Sequence, residues 1–387
     1  MVPIKYNVRN LVVRKRTTLA AAFGLALVVF VFACAQMLSE GIKKTLGRVA
    51  SPDVAVVLRK GSDNELTSAI EDKHASLVKA QAEQIGASRQ PATLGELVIV
   101  ILLDKIGANG VSNVTVRGVP EDVLAFRTTA KVIEGRAPSP GSDEVLVGSA
   151  IRGRFKGLDI GQSFELKKNR AVTVVGVFSD EGSAFESEVW GDIHLVRQAF
   201  NREGYLSGIR VRLDGASKFD AFKANIESNR QLGLVVMRET DYLEKQSEAT
   251  AFILNLIGGM IAFFFAVGAM IGATITMNAQ VAGRTREIGT LRALGFSRGS
   301  ILFSFLIESL VLALLGGLIG AACATAMKAV KLTMINAGTW SEIVFGFEPT
   351  PGILVGSMIL AAVMGLVGGF LPALRAARIS PIEAMRG

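Results

Sequence analysis

Half of the 387 residues are hydrophobic, mean hydropathy is positive and 41 residues are glycine, a balance that excludes an ordinary soluble enzyme and points to a membrane protein. The net charge is +8, but the excess is gathered into short segments with no basic groove, so a nucleic-acid partner is not expected. Cys34 and Cys323 both fall in apolar runs, which excludes a disulfide framework, and His74 and His194 stand apart from any ligand set, so no metal site is expected.

The predicted fold is an α-helical membrane protein with four transmembrane helices and a large α+β extracytoplasmic domain between helices 1 and 2. Residues 1–16 form a cytoplasmic N-terminal segment with five basic and no acidic groups. Residues 17–38 carry no charge and would extend about 33 Å as a helix, enough for the first span. The run is longer than a signal-peptide core, and Ala33-Cys34-Ala35 is followed by more apolar sequence, so it reads as a retained anchor.

Residues 39–250 form the extracytoplasmic domain. An α/β lobe is expected over about 50–130, with a strand at 54–60, an amphipathic helix at 62–85 capped by Ser62 or Asp63 and stopped by Gly86, and strands at 96–103 and 111–119. A stretch dense in turn formers (133–144) opens a β-rich lobe over about 131–215, with strands at 145–148, 164–166, 171–178 and 207–213. A helix is expected at 217–229, and a polar helical stalk over about 236–250 runs without a breaker into the second span, 251–279. The cytoplasmic loop 280–299 follows, then a span at 300–327, a short outer loop at 328–350, a span at 351–374 and a cytoplasmic tail at 375–387.

Charge sets the orientation. The loop 280–299 has four basic and one acidic residue and the tail three and one, whereas 39–250 nearly balances with 28 basic and 29 acidic. The positive segments belong inside, which places both termini in the cytoplasm and the large domain on the outer side of a membrane protein in contact with lipid.

Within the loop, Ile288, Leu291 and Leu294 recur at helical spacing beside Arg284 and Arg286, as a docking stripe would. Arg284 and Arg286 also hold the loop inside, and Arg375, Arg378 and Arg386 do the same for the tail. No Gly-x-x-x-x-Gly-Lys-Ser/Thr loop occurs in the sequence, so no nucleotide site, cofactor or catalytic set is expected in this chain. Gly268 and Gly272, Gly316 and Gly320, and Gly365 and Gly369 are Gly-x-x-x-Gly pairs, which allow close helix packing within a bundle or between two copies. Glu308 is an intramembrane carboxylate, for which capping or bridging between helices near the loop is expected over proton handling. The carboxylates of the outer domain read as a solvated surface.

The stretch Arg284-Thr285-Arg286-Glu287-Ile288-Gly289-Thr290-Leu291-Arg292-Ala293-Leu294-Gly295-Phe296, the following Phe305-Leu306-Ile307-Glu308-Ser309, and the tail Pro372-Ala373-Leu374-Arg375-Ala376-Ala377-Arg378 resemble the permease family that includes MacB, FtsX, LolC and LolE, the mechanotransmitting ABC transporters. The resemblance implies a coupling helix over 284–295, with Arg284, Arg286, Glu287, Ile288, Leu291, Arg292, Leu294 and Gly295 meeting a separate cytoplasmic ABC ATPase that binds ATP and Mg. It also implies a bacterial inner (plasma) membrane protein whose large domain is periplasmic, a homodimer or a heterodimer with a sister permease, a periplasmic adaptor and outer-membrane partner in export systems, and motion passed to the outer domain without substrate crossing between the helices. An FtsX-like scaffold that controls a periplasmic enzyme without transport would share the same loop.

Overall fold

The computed structural model describes residues 15–107, 110–336 and 339–381. The described chain runs α1 (Lys15–Gly47), β1 (Val54–Arg59), β2 (Ile70–Glu71), α2 (Asp72–Ile85), β3 (Thr93–Asp104), β4 (Val111–Val119), α3 (Val123–Phe126), β5 (Lys131–Gly135), β6 (Glu144–Gly148), β7 (Ser163–Lys167) and β8 (Arg170–Ser179). It continues with β9 (Glu188–Asp192), α4 (Ile193–Phe200), β10 (Tyr205–Leu206), β11 (Gly208–Arg212), α5 (Phe219–Ser228), β12 (Leu234–Arg238) and α6 (Glu239–Ala282). The last elements are α7 (Thr285–Ala293), α8 (Arg298–Ala326), β13 (Lys331–Ile335), β14 (Glu342–Gly346) and α9 (Pro351–Arg378). Two compact units result: Met1–Glu40 with Phe252–Val330 and Phe347–Gly387, and Gly41–Ala251 with Lys331–Gly346.

The second unit is built on a ten-stranded mixed sheet in the order β12-β1-β11-β3-β4-β9-β6-β8-β5, with β7 paired to β8. Most pairs are antiparallel, whereas β4 with β9 and β6 with β8 are parallel. The two expected lobes therefore share one sheet, joined where β4 pairs with β9 and where β11 pairs with β1 and β3. Strand β1 is apolar at consecutive positions because both its faces are covered. Ala55 and Val57 join the core with Val78 and Ala82 of α2 and Phe222 and Ile226 of α5, whereas Val56 and Leu58 meet Tyr242 and Leu243 on the opposite face.

The helix expected from residue 62 begins only at Asp72, because 70–71 pairs with β10 and the preceding segment folds as a turn held by Asn64 and Thr67. It ends as expected at Gly86, whose φ of 89° is a left-handed cap open to glycine. The outer loop 328–350 is not plain loop. β13 and β14 pair as an antiparallel hairpin in this unit, where Glu342 meets Lys105 and Arg154, each at 2.7 Å. The Ser187 hydroxyl accepts the Val344 N–H at 3.1 Å.

Four helices among the described residues are long and apolar enough to cross a membrane, Ala21–Gly47, Glu239–Ala282, Arg298–Ala329 and Pro351–Arg378, and the first unit holds them except for residues 41–47 and 239–251. Small residues and short hydroxyls hold them together, as expected where lipid leaves little hydrophobic driving force. A Cβ at Gly316 would stand 2.7 Å from the Ala22 carbonyl, and one at Gly320 would strike that of Ala26, so α8 lies directly on the α1 backbone. Gly365 and Gly369 bring α9 onto Ala313 and Ser309 of α8. The Ser309 hydroxyl donates to the Gly365 carbonyl at 2.5 Å, and that of Thr274 on α6 donates to the Gly368 carbonyl at 2.8 Å. Gly268 and Gly272 differ: a Cβ at either meets nothing within 4 Å.

Candidate coupling site

The loop between α6 and α8 carries one short helix, α7, of nine residues. Its end is fixed by Gly295 at φ 93°, by the Arg292 side chain donating to the Phe296 carbonyl at 3.0 Å, and by Ser297, whose hydroxyl caps α8 by accepting the Ser300 N–H at 3.2 Å. Its start is held by Arg284. The guanidinium, 5% exposed, donates to the Glu308 carboxylate at 2.9 Å and lies 6.0 Å from the Phe305 ring centroid. Glu308 thus bridges α8 to the loop, and Arg284 is a buried partner as well as a positive charge near the membrane surface.

The three-residue apolar stripe is not a single face. Ile288 is 2% exposed and joins Met277, Val281, Ile301 and Phe305 in a core, whereas Leu294 is 72% exposed. Leu291 is partly buried against the same core. The reason is geometric: each three-residue step on a helix falls about 60° short of a full turn, so residues 288 and 294 diverge. Leu294 also lies one position past the end of α7. Ile288 therefore seats the helix in its own chain. The surface left outward is Arg286, Glu287, Thr290, Ala293, Leu294 and Gly295. Arg375 donates to Asn278 at 3.2 Å, whereas Arg386 lies outside the described residues.

In the other unit, the root of α6 meets a charged cluster that the sequence reading placed at the surface. Arg210 on β11, Glu96 on β3, Arg117 on β4 and Glu188 on β9 share one face of the sheet, as the registers Val56↔Arg210, Leu94↔Arg210 and Val98↔Arg117 require. The side chains of Arg210, Arg117 and Glu96 are at most 3% exposed. Arg117 forks onto Glu188 with two bonds of 2.7 Å and reaches Glu65 and Glu96 at 3.0 Å. Arg127, just after α3, donates to Glu96 at 2.9 Å. The Phe185 ring is flanked by all three guanidiniums, that of Arg127 at 4.0 Å.

Burial alone would raise the carboxyls of Glu65 and Glu96. The guanidiniums outweigh it and hold both below the ordinary carboxylate range: Arg117 and Arg210 act on Glu65, and Arg127, Arg210 and Arg117 act on Glu96. These carboxylates are structural and paired, not solvated. The signal was present in sequence: Glu96 precedes the apolar run 97–103 in β3, Arg117 is the one charge of β4, and Arg210 stands between Ile209 and Val211 in β11. Such positions must be buried together or not be strands.

Residues 17–229, more than half of the chain, match the family described as MacB-like periplasmic core domain, and residues 259–381 match the FtsX-like permease C-terminal family. The macrolide export ATP-binding/permease protein MacB of Burkholderia cenocepacia is 30% identical over 285 residues, covering 69% of this chain and 38% of that protein. The protein of the same description from Shewanella oneidensis is 31% identical over 227 residues, covering 55% and 33%. The chain spans about a third of the length of these curated relatives. Among solved structures, the periplasmic region of MacB from Actinobacillus actinomycetemcomitans aligns with a TM-score of 0.38 at 12% identity, over 52% of this chain and 95% of that one.

Proposed function

The chain belongs to the MacB/FtsX-type family of ABC transporter permeases, and from that premise we propose that it passes the ATP-driven motion of a separate cytoplasmic ATPase to its periplasmic domain, so as to export or extract a substrate. The observation that carries this reading is α6, one helix of 44 residues with Tyr242 and Leu243 in its first turns set against β1 and its last turn leading into α7. A continuous helix converts a push or tilt at one end into displacement at the other, whereas a flexible linker dissipates it. In this reading the periplasmic domain lies between the first two spans, both termini are cytoplasmic, and ATP and Mg are bound by the partner and not by this chain. The outward residues around Arg286, Glu287 and Leu294 form the ATPase contact, with Ile288, Arg284 and Glu308 holding that surface in place.

Two copies, or this chain with a sister permease, would meet through the face of α6 that Gly268 and Gly272 leave open. Only 17% of the apolar window of α6 is buried, against 44% for α8. The match to the MacB-like core domain favours the export or extraction reading over an FtsX-like scaffold, because the FtsX-like match lies in the membrane half that both readings share. An adaptor and an outer-membrane partner complete the export version, and a macrolide is the first substrate to try, since relatives carry that name.

The test is a break in α6. Replacing Glu244 and Lys245, both exposed, with glycine should leave membrane insertion and ATP turnover intact while substrate export falls at least tenfold. Export at the wild-type rate in that variant would rule out transmission through the helix.

A further inference from the structure

The first turn of α6 is held by more than apolar contact. Glu239 begins the helix; one of its oxygens accepts from Arg210 Nε at 3.1 Å and the other from the Ser51 backbone N–H at 3.2 Å. Tyr242, one turn on, accepts the Glu65 backbone N–H at 3.2 Å, and the Glu65 carboxylate accepts from Arg210 Nη1 at 2.7 Å. Two side chains of the helix and one residue of the β1–β2 connection therefore close a ring through Arg210. That arginine also binds Glu96, while its buried Nη2 has no protein acceptor. A small cavity of about 30 Å³ adjoins the ring, lined among others by Arg117, Arg210, Leu243 and Gln246.

A buried ionic cluster is a poor device for stability, because apolar side chains of the same volume hold a fold as well or better; fixing a single geometry is its best-attested use. The alternative anchor, Tyr242 and Leu243 against Val56 and Leu58, is non-directional and resists rolling of the helix weakly. Charge-assisted bonds from a planar guanidinium fork are directional. We propose that Arg210, Glu239, Glu65 and Tyr242 form the joint that sets the rotation of α6 against the outer sheet, with Arg210 and Glu239 as its positioning residues.

The inference rests on α6 being the transmitting element, yet its test needs no ATPase. With Cys34 and Cys323 replaced by serine, spin labels at Ala224→Cys on α5 and Glu248→Cys on α6 report the helix angle in the full chain in lipid nanodiscs. The intact joint should give one narrow distance distribution. Glu239→Gln, alone and with Tyr242→Phe, should at least double its width while the outer unit stays folded at the temperature of the measurement. Leu243→Ala should lower the thermal unfolding midpoint and leave the width as it was. An unchanged width in both Glu239 variants, equal broadening by Leu243→Ala, or unfolding of the outer unit by Glu239→Gln alone would each overturn the joint. A failed α6 break with a broadened Glu239→Gln distribution would instead overturn the transmission reading and leave the joint standing.

Discussion

Buried charge is used twice in this protein, in two different ways. In the membrane-spanning unit, Arg284 meets Glu308 beside the apolar core of Ile288, Ile301 and Phe305. In the outer unit, Arg117, Arg127 and Arg210 share Glu65, Glu96, Glu188 and Glu239 through bonds that join β3, β4, β9, β11 and α6. The first closes a short helix onto its neighbouring span. The second joins strands distant in sequence to the root of a helix, so removing one member strands several others.

The largest effect should separate the two. Arg210→Met leaves three carboxylates short of a partner and should cost about 3–5 kcal/mol in chemical unfolding of the outer unit; pairing it with Glu65→Leu should recover little, because Glu96 and Glu239 remain. Glu308→Leu should cost less than the roughly 2.5–3.5 kcal/mol of an unpaired charge at a span centre, because Arg284, at the loop end, has a short path to water. Arg284→Met with Glu308→Leu should restore near wild-type stability in detergent. Equal recovery in both units would erase the distinction.

Acid should sharpen it. The depressed carboxyls of Glu65 and Glu96 stabilise the outer unit fully above the unfolded carboxylate value, roughly 4.3, and that contribution is lost only as pH falls through their lower folded values. The Trp190 ring, stacked on Phe178 at 4.1 Å between centroids, supplies a fluorescence signal. The acid transition should lie well below pH ~4 in the native chain and move up toward it in Arg210→Met. The smallest stability effect is expected at Leu294: Leu294→Asp should change unfolding by less than about 0.5 kcal/mol while abolishing co-purification of the ATPase. Retained co-purification would remove Leu294 from the contact.

The strands and spans were largely legible because their signals are local. The periodicity at 111–119 and 219–228, the charge-free runs and the Gly86 stop each depend on a few neighbouring residues. What escaped was set by distant partners. The segment after Lys60 reads as helix by its local pattern, whereas the pairing of Ile70 and Glu71 with β10 depends on residues 205–206. Ile288 carried the right chemistry, but its side of the helix was decided by Met277, Val281 and Phe305 from two other elements. The glycine pairs were visible as pairs. Their division into two buried pairs and one open pair follows from which helix lies opposite, and spacing alone does not encode that.

The β13–β14 hairpin makes the outer unit discontinuous along the chain. A soluble fragment cut as 41–251 would lack Glu342 and leave Lys105 and Arg154 without the carboxylate they share. It would also uncover Ser187, which accepts the Val344 N–H, and Asn113, which donates to the Trp340 carbonyl at 2.5 Å. Binding measured on such a fragment would include a surface that the intact protein keeps covered. A faithful excised version must therefore splice residues 331–346 back in or supply them as a peptide.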